Sequence, residues 1–297
     1  MSNFRSVHIV PTYECNLSCS YCYASKYKQD YKTLSWKNYL KILDLLVENN
    51  VRRIIFIGGE PSIWPHIDAA IEAAKGMEIH TALISNAVKH TNALPHTVTV
   101  NGTNLADQKL RPLILGNLSW YKNRGVQSNL RFNLNAQDSP KKFRQYIEWG
   151  KHYGDSISFS PTVPYGLAKK IGAALHRFAK MAVSAKIPIK LNRAVPLCIF
   201  TPEQRLFLLK HATLYSICHP ATREFTINPD LSILPCVDLN IPKKLSRDFR
   251  IVAKKYQVEV EALQKKPKWK KCRSCMFFGD VCQGGCLSIK CKSPYPV

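Results

Sequence analysis

Six times before residue 186, a short apolar run leads into a new local pattern, most often one of helical spacing. This alternation confines the chain to an α/β fold. Strands are predicted at 6–10, 53–57, 79–84, 97–100, 130–134 and 156–160. A helix starts at Ser35, a residue type that caps N-termini, with Tyr39, Leu43 and Leu46 on one face. Further helices are predicted over 66–75, 105–121, 139–153 and 168–185. Strands joined by helical crossovers pair in parallel, with right-handed connections. Six units are too few to close an eight-unit barrel, so an open, partial (β/α)6 TIM-like barrel is expected over 1–186.

Beyond residue 187 the rhythm breaks, and a smaller cysteine-rich domain is expected over 187–297. Residues 202–213 read as helix, and 225–227 and 232–234 as a β-hairpin around Asn228-Pro-Asp-Leu231. A basic helix is predicted over 245–263, followed by a lysine-rich stretch at 265–271 and five cysteines between 272 and 291.

The strand ends carry the chemistry. After the first strand come Cys15, Cys19 and Cys22, spaced Cys-x3-Cys-x2-Cys. Soft thiolates at that spacing on one loop suit three irons of a [4Fe–4S] cube. No fourth cysteine is near in sequence, which leaves one iron open to a substrate or cofactor. Gly58-Gly59-Glu60-Pro61 follows the second strand, Ser85-Asn86 the third, and Asn101-Gly102 the fourth. In parallel α/β folds ligands bind at the carboxyl ends of strands, so the four signatures converge on one mouth. Asn101-Gly102 reads most simply as a turn.

The 43 Lys and Arg against 20 Asp and Glu give a formal charge of +23, which attracts polyanions or acidic peptides. A diffuse basic surface explains this charge better than a nucleic-acid site. The 11 cysteines, odd in number and tightly spaced, favour metal ligation over disulfides and a reducing, cytoplasmic location. No apolar run spans a bilayer and no secretion signal is present, so no membrane association is expected. The histidines, His8, His66, His80 and His219 among them, show no ligand spacing. Trp64, Trp120 and Trp149 read as core or groove residues rather than electron relays.

Taken together, Cys15-x3-Cys19-x2-Cys22 and Gly58-Gly59-Glu60-Pro61 resemble the radical S-adenosylmethionine (radical SAM) enzymes. The tail, Cys272-x2-Cys275-x6-Cys282-x3-Cys286 with Cys291, resembles their SPASM subgroup, which carries two auxiliary clusters. The resemblance implies that the cluster's open iron takes the amino and carboxylate groups of SAM, whose reductive cleavage yields a 5′-deoxyadenosyl radical that abstracts hydrogen. It places Gly58 and Gly59 against the methionine moiety and Glu60 nearest its ammonium. Ser85, Asn86 and Thr99 match contacts to ribose or carboxylate, and Tyr21 matches a backbone contact to adenine. By family order, Cys198, Cys218, Cys236 and Cys286 hold the first auxiliary cluster, with Cys198 open to question. Cys272, Cys275, Cys282 and Cys291 hold the second, for three [4Fe–4S] clusters in all. Two departures from the family pattern stand out: Leu231 replaces a glycine before Cys236, and the gap from Cys275 to Cys282 is one residue longer than is usual. The alternative for the tail is a tetrahedral zinc site.

SPASM enzymes mostly modify peptides or proteins. In the sulfatase-maturing group an aspartate directly follows the hairpin-ending cysteine; here Val237 stands there and Asp238 comes one later, which counts against that activity. Asp238 is the one candidate catalytic residue outside the cofactor contacts. The expected substrate is a ribosomally made precursor peptide with a leader, modified by tyramine excision, cross-linking, thioether formation or epimerisation. A separate leader-binding partner, or recognition of the leader by the basic surface itself, and an electron donor such as flavodoxin or ferredoxin are expected. RNA or tRNA modification, sulfatase-like protein oxidation and a non-enzymatic binding protein are the alternatives.

Overall fold

A computed structural model of the chain describes residues 4–27, 31–162, 169–214, 216–218, 220 and 224–288. In chain order it begins with β1 (Ser6–Ile9), α1 (Trp36–Glu48), β2 (Arg53–Phe56), α2 (Ile67–Gly76), β3 (His80–Ser85) and β4 (Thr97–Asn101). It continues through α3 (Arg111–Lys122), β5 (Gln127–Leu134), α4 (Pro140–Tyr153), β6 (Ser156–Pro161), α5 (Lys169–Ser184) and β7 (Ile189–Leu191). The last elements are α6 (Pro202–His211), β8 (Ala212–Thr213), β9 (Glu224–Ile227), β10 (Ser232–Leu234), β11 (Lys243–Lys244) and α7 (Phe249–Lys265). Residue 168, placed in a helix by the sequence, lies outside the described residues.

Two compact units form: Met1–Ser128 with His219–Val258, and Asn129–Cys218 with Glu259–Val297. They divide the chain after 128, 218 and 258.

In the first unit the strands run in the order β11-β10-β9-β1-β2-β3-β4. β1 pairs in parallel with β2 and β9, with Val7 opposite both Ile54 and Phe225. The β2–β3 and β3–β4 pairs are parallel as well, and β9 and β10 form the expected antiparallel hairpin. Val7, Ile9, Ile54, Phe56, Leu83, Val98 and Val100 are fully buried. Helix α1 covers this core with Tyr39, Ile42, Leu43 and Leu46, and the Ser35 hydroxyl accepts the Asn38 N–H as its N-cap. Each such apolar side chain contributes about 1.5–3 kcal/mol when removed from water. Between β3 and β4 the chain is irregular, so the third strand has no helix of its own.

In the second unit β5, β6, β7 and β8 follow one another, all parallel. β7 was not expected: it is three residues long, follows Pro188 and alternates only once, too little for a period-2 signal. Phe132, Phe143, Tyr146, Phe159 and Phe178 fill this core, with Phe132 and Tyr146 stacked at 4.3 Å. The strand–helix series with parallel pairing is the α/β class read from the sequence, and the C-terminal stretch is cysteine-rich. Among the described residues no helix is long and apolar enough to cross a membrane.

Candidate functional site

In the first unit, the carboxyl ends of β1 to β4 each lead into one signature. The loop after β1 is held by backbone bonds from the turn after β2: Gly59 N–H donates to Thr12 O at 2.9 Å and Glu60 N–H to Glu14 O at 2.8 Å. A Cβ at Gly59 would collide with the Glu14 carbonyl, and one at Gly58 with that of Thr12. Gly58 also has φ +150°, a conformation that disfavours side chains. The two glycines therefore let the cysteine loop lie directly on the second strand's turn.

Glu60 is 1% exposed. Its Oε1 accepts the Ser62 N–H at 3.0 Å and the Ser85 hydroxyl at 2.8 Å, and its Oε2 accepts the Asn86 N–H at 2.7 Å. Burial pushes its carboxyl pKa up, while these donors pull it back down. Glu60 thus fixes the end of β3 before any ligand arrives. Asn86 in turn donates through Nδ2 to Asn16 Oδ1 at 2.7 Å and lies 3.7 Å from Cys15 Sγ.

Cys15, Cys19 and Cys22 are half-buried on this loop and lie within electrostatic reach of one another. Burial pushes the Cys15 thiol up, with the charges of Glu60, Cys22 and Cys19 adding to it and the Leu17 N–H opposing. Burial raises Cys19 too, against its hydrogen bonds with Tyr21 and Asn104. Cys22 packs with Tyr23, Ile84 and Val237 on a cluster of Val10, Tyr13, Ala24, Tyr27 and Ile57. Tyr13 OH donates to Asn228 Oδ1 at 2.7 Å, and Tyr23 OH to Gly58 O at 3.1 Å.

The end of β4 corrects the simple-turn reading of Asn101-Gly102. Residues Gly102–Ala106 form a 3-10 turn, which eclipses positions three apart and stacks Asn104 on Asn101. Asn101 Nδ2 donates to Tyr21 OH at 2.9 Å, Tyr21 OH to Asn104 Oδ1 at 3.1 Å, and Cys19 Sγ lies 3.7 Å from Asn104 Oδ1. Sequence reasoning missed Asn16 and Asn104; the one available signal was an asparagine three places after a strand-end asparagine. Thr99 lies within β4, opposite Ile84. Asp238 and Cys236 are electrostatic neighbours of Tyr23, whose phenol is held protonated chiefly by burial.

In the hairpin turn before Cys236, Leu231 takes φ +65°. Trp64 and Trp149 are buried, and Trp64 Nε1 donates to Leu34 O at 3.0 Å. Trp120 stacks on His90 at 4.1 Å.

The second unit gathers the tail cysteines. Gly284 N–H lies 3.4 Å from Cys282 Sγ, and Cys272 Sγ lies 3.4 Å from where a Gly284 Cβ would stand. Cys198 has Cys282, Cys272 and Cys275 as electrostatic neighbours, a grouping different from the one implied by family order. Cys218 neighbours Cys286; burial pushes its thiol up to about 11, and Gln283 Nε2 donates to its sulfur at 3.1 Å. Cys236 belongs to the first unit, and Cys291 and His219 lie outside the described residues. None of the ten described cysteines is in a disulfide. Among the described residues no three His, Cys, Asp or Glu side chains converge closely enough for a single metal ion. Thiolates that bind separate irons of a cube need no such convergence, whereas tetrahedral zinc does.

The residues of the first unit fit a [4Fe–4S] cluster: three neighbouring thiols, no disulfide among them, on a loop that glycines keep against a strand end. The model of the Radical SAM superfamily matches residues 9–157. A nucleotide dehydratase dependent on S-adenosylmethionine, from a Thermoplasmatales archaeon, is 31% identical over 83 residues, which cover 28% of this chain and 29% of that protein. The chain thus spans less than a third of that curated relative. Streptococcus suis SuiB, solved with its precursor peptide SuiA, is similar in fold, with TM-score 0.70, 17% identity, and 98% and 73% of the two chains covered. The structure of anSMEcpe with bound AdoMet gives TM-score 0.68 at 16% identity, covering 95% and 88%. These likenesses match the partial-barrel architecture expected from the sequence.

Proposed function

The chain belongs to the radical SAM superfamily, and on that premise we propose that Cys15, Cys19 and Cys22 hold its [4Fe–4S] cluster and that it modifies a peptide. When bound, the cluster and SAM supply a carbon-centred radical that abstracts hydrogen. Everything else is the work of the protein. Gly58 and Gly59 keep side chains out of the space beside the cysteine loop. Glu60 orders Ser85 and Asn86, and together with Tyr21 and Thr99 these residues contact SAM in this reading.

The observation that carries the proposal is the meeting of the β1, β2 and β3 ends, tied by Glu60 and Asn86 to the loop of Cys15. A peptide substrate is supported by the fold shared with SuiB, which was solved with a precursor peptide, and by the charge of +23. The spatial neighbours of Cys198 favour a tail cluster on Cys198, Cys272, Cys275 and Cys282. Cys218 and Cys286 serve a further auxiliary cluster. A leader-binding partner and an acidic electron donor such as flavodoxin or ferredoxin complete the reading.

The test is anaerobic incubation of reduced, reconstituted protein with SAM and acidic precursor peptides, with a nucleotide panel as the counter-arm. Release of 5′-deoxyadenosine that rises with peptide, together with a mass change in the peptide, supports the proposal. Turnover with nucleotides alone would overturn the peptide assignment.

A further inference from the structure

Two buried side-chain atoms near the cysteine loop have no hydrogen-bond partner: Asn104 Nδ2, on a residue that faces Cys19, and Asn101 Oδ1. Both belong to the network around Tyr21 OH. As it stands, Asn101 Nδ2 donates to Tyr21 OH at 2.9 Å, Tyr21 OH donates to Asn104 Oδ1 at 3.1 Å, and the Cys19 thiol faces the same oxygen at 3.7 Å. Asn101 Nδ2 also lies 3.5 Å from Asn104 Oδ1. Tyr21 OH, Asn101 Nδ2 and the Cys19 thiol all face Asn104 Oδ1, and Tyr21 also hydrogen-bonds Cys19, an arrangement around Asn104 that suits a protonated thiol.

A metal-ligating cysteine carries no proton. An acceptor oxygen facing a thiolate would be repulsive, whereas an N–H in the same place makes a charge-assisted bond. Turning the two carboxamides about their last bonds reverses the network and brings the two unpaired atoms into use. Asn104 Nδ2 then donates to Cys19 Sγ, and Tyr21 OH donates to Asn101 Oδ1. The exchange leaves the number of unpaired buried atoms unchanged, so the turn itself adds no desolvation penalty.

We infer that Asn104, oriented by Tyr21 and Asn101, is a positioning residue that donates an N–H to the Cys19 sulfur and raises the reduction potential of the cluster held there. The inference rests on the proposed ligation by Cys19. Hydrogen bonds to the sulfurs are among the determinants of such potentials, because they stabilise the extra negative charge of the reduced state. Asn101 acts one step further out, through Tyr21 and Asn104.

The experiment is an EPR-monitored redox titration of the reconstituted full chain. The signal of interest is the one that disappears in the Cys15→Ala, Cys19→Ala, Cys22→Ala triple variant. Asn104→Leu, which has the shape but no N–H, should keep its iron and shift the midpoint to more negative potential. A tenfold loss in the reduction equilibrium reads as about 59 mV for a one-electron couple. Asn101→Leu should shift it in the same direction by less. If Asn104→Leu fails to hold iron, Asn104→Gln and Asn104→Asp are compared: Gln keeps a donor and should stay near the wild-type potential, and Asp should not. Equal potentials across donor and non-donor variants with intact iron content would overturn the inference. A wild type that loses no iron in the triple variant would instead refute the proposed ligation.

Discussion

Glu60 Oε2 accepts the backbone N–H of Asn86 at 2.7 Å, joining the turn after β2 to the end of β3 beneath the cysteine loop. Both oxygens of this carboxylate are spent on donors, so it serves as a lock between strand ends before it serves any ligand.

Replacing Glu60 with Gln puts an amide N–H where an acceptor is required. Leaving a buried donor unsatisfied costs about 1–3 kcal/mol. Urea unfolding of the metal-free chain should show that loss, and SAM binding to the reconstituted protein should weaken with it. Unchanged stability would mean that the Ser85–Asn86 turn holds without the carboxylate.

Gly59→Ala should displace the cysteine loop, because its Cβ meets the Glu14 backbone, which has no side-chain freedom to yield. About four irons should be lost, in line with one cube. Gly116→Ala is the control: nothing lies near its Cβ within α3, and replacing a helical glycine gains up to about 1 kcal/mol. Iron analysis and thermal unfolding of the two variants separate a local clash from a general sensitivity to substitution.

Leu231 occupies a left-handed turn at φ +65°, where most side chains cost roughly 1–2 kcal/mol. Leu231→Val, β-branched, should destabilise the protein by at least about 1 kcal/mol. Leu231→Gly should equal or exceed wild type, read by chemical denaturation. A Val variant as stable as wild type would show that the turn relaxes to another geometry.

The residues gathered at the strand ends were legible because their pattern is local. Three cysteines within eight residues, or two glycines before a glutamate, declare themselves without knowledge of what lies opposite. The same holds for β1 to β6, whose apolar runs contrast with their surroundings. β7 was hidden because Ile189–Leu191 alternates once and stops. Asn104 was hidden because its meaning depends on Cys19, 85 residues earlier. Cys198 carried no local sign of its neighbours, since Cys272, Cys275 and Cys282 come more than seventy residues later. Leu231 shows the converse: the position singled out by the sequence pattern as a glycine site has a left-handed backbone with a leucine in place.

The raised thiol pKa values bear on loading. A ligand held as a thiol must release its proton when metal binds, so affinity falls as pH falls. Burial moves Cys15 and Cys19 upward, and Cys218 to about 11, so metal must displace more tightly held protons at these sites. Iron affinity at fixed iron and sulfide should therefore strengthen as pH rises. Iron affinity that does not change with pH would contradict ligation by protonated thiols.

The most direct test of the account is anaerobic iron and sulfide analysis of the wild type beside the Cys15→Ala, Cys19→Ala, Cys22→Ala variant. Three cubes predict about twelve irons falling to about eight, with SAM cleavage abolished. Iron content unchanged by the triple substitution, or zinc in place of iron in the tail, would contradict it.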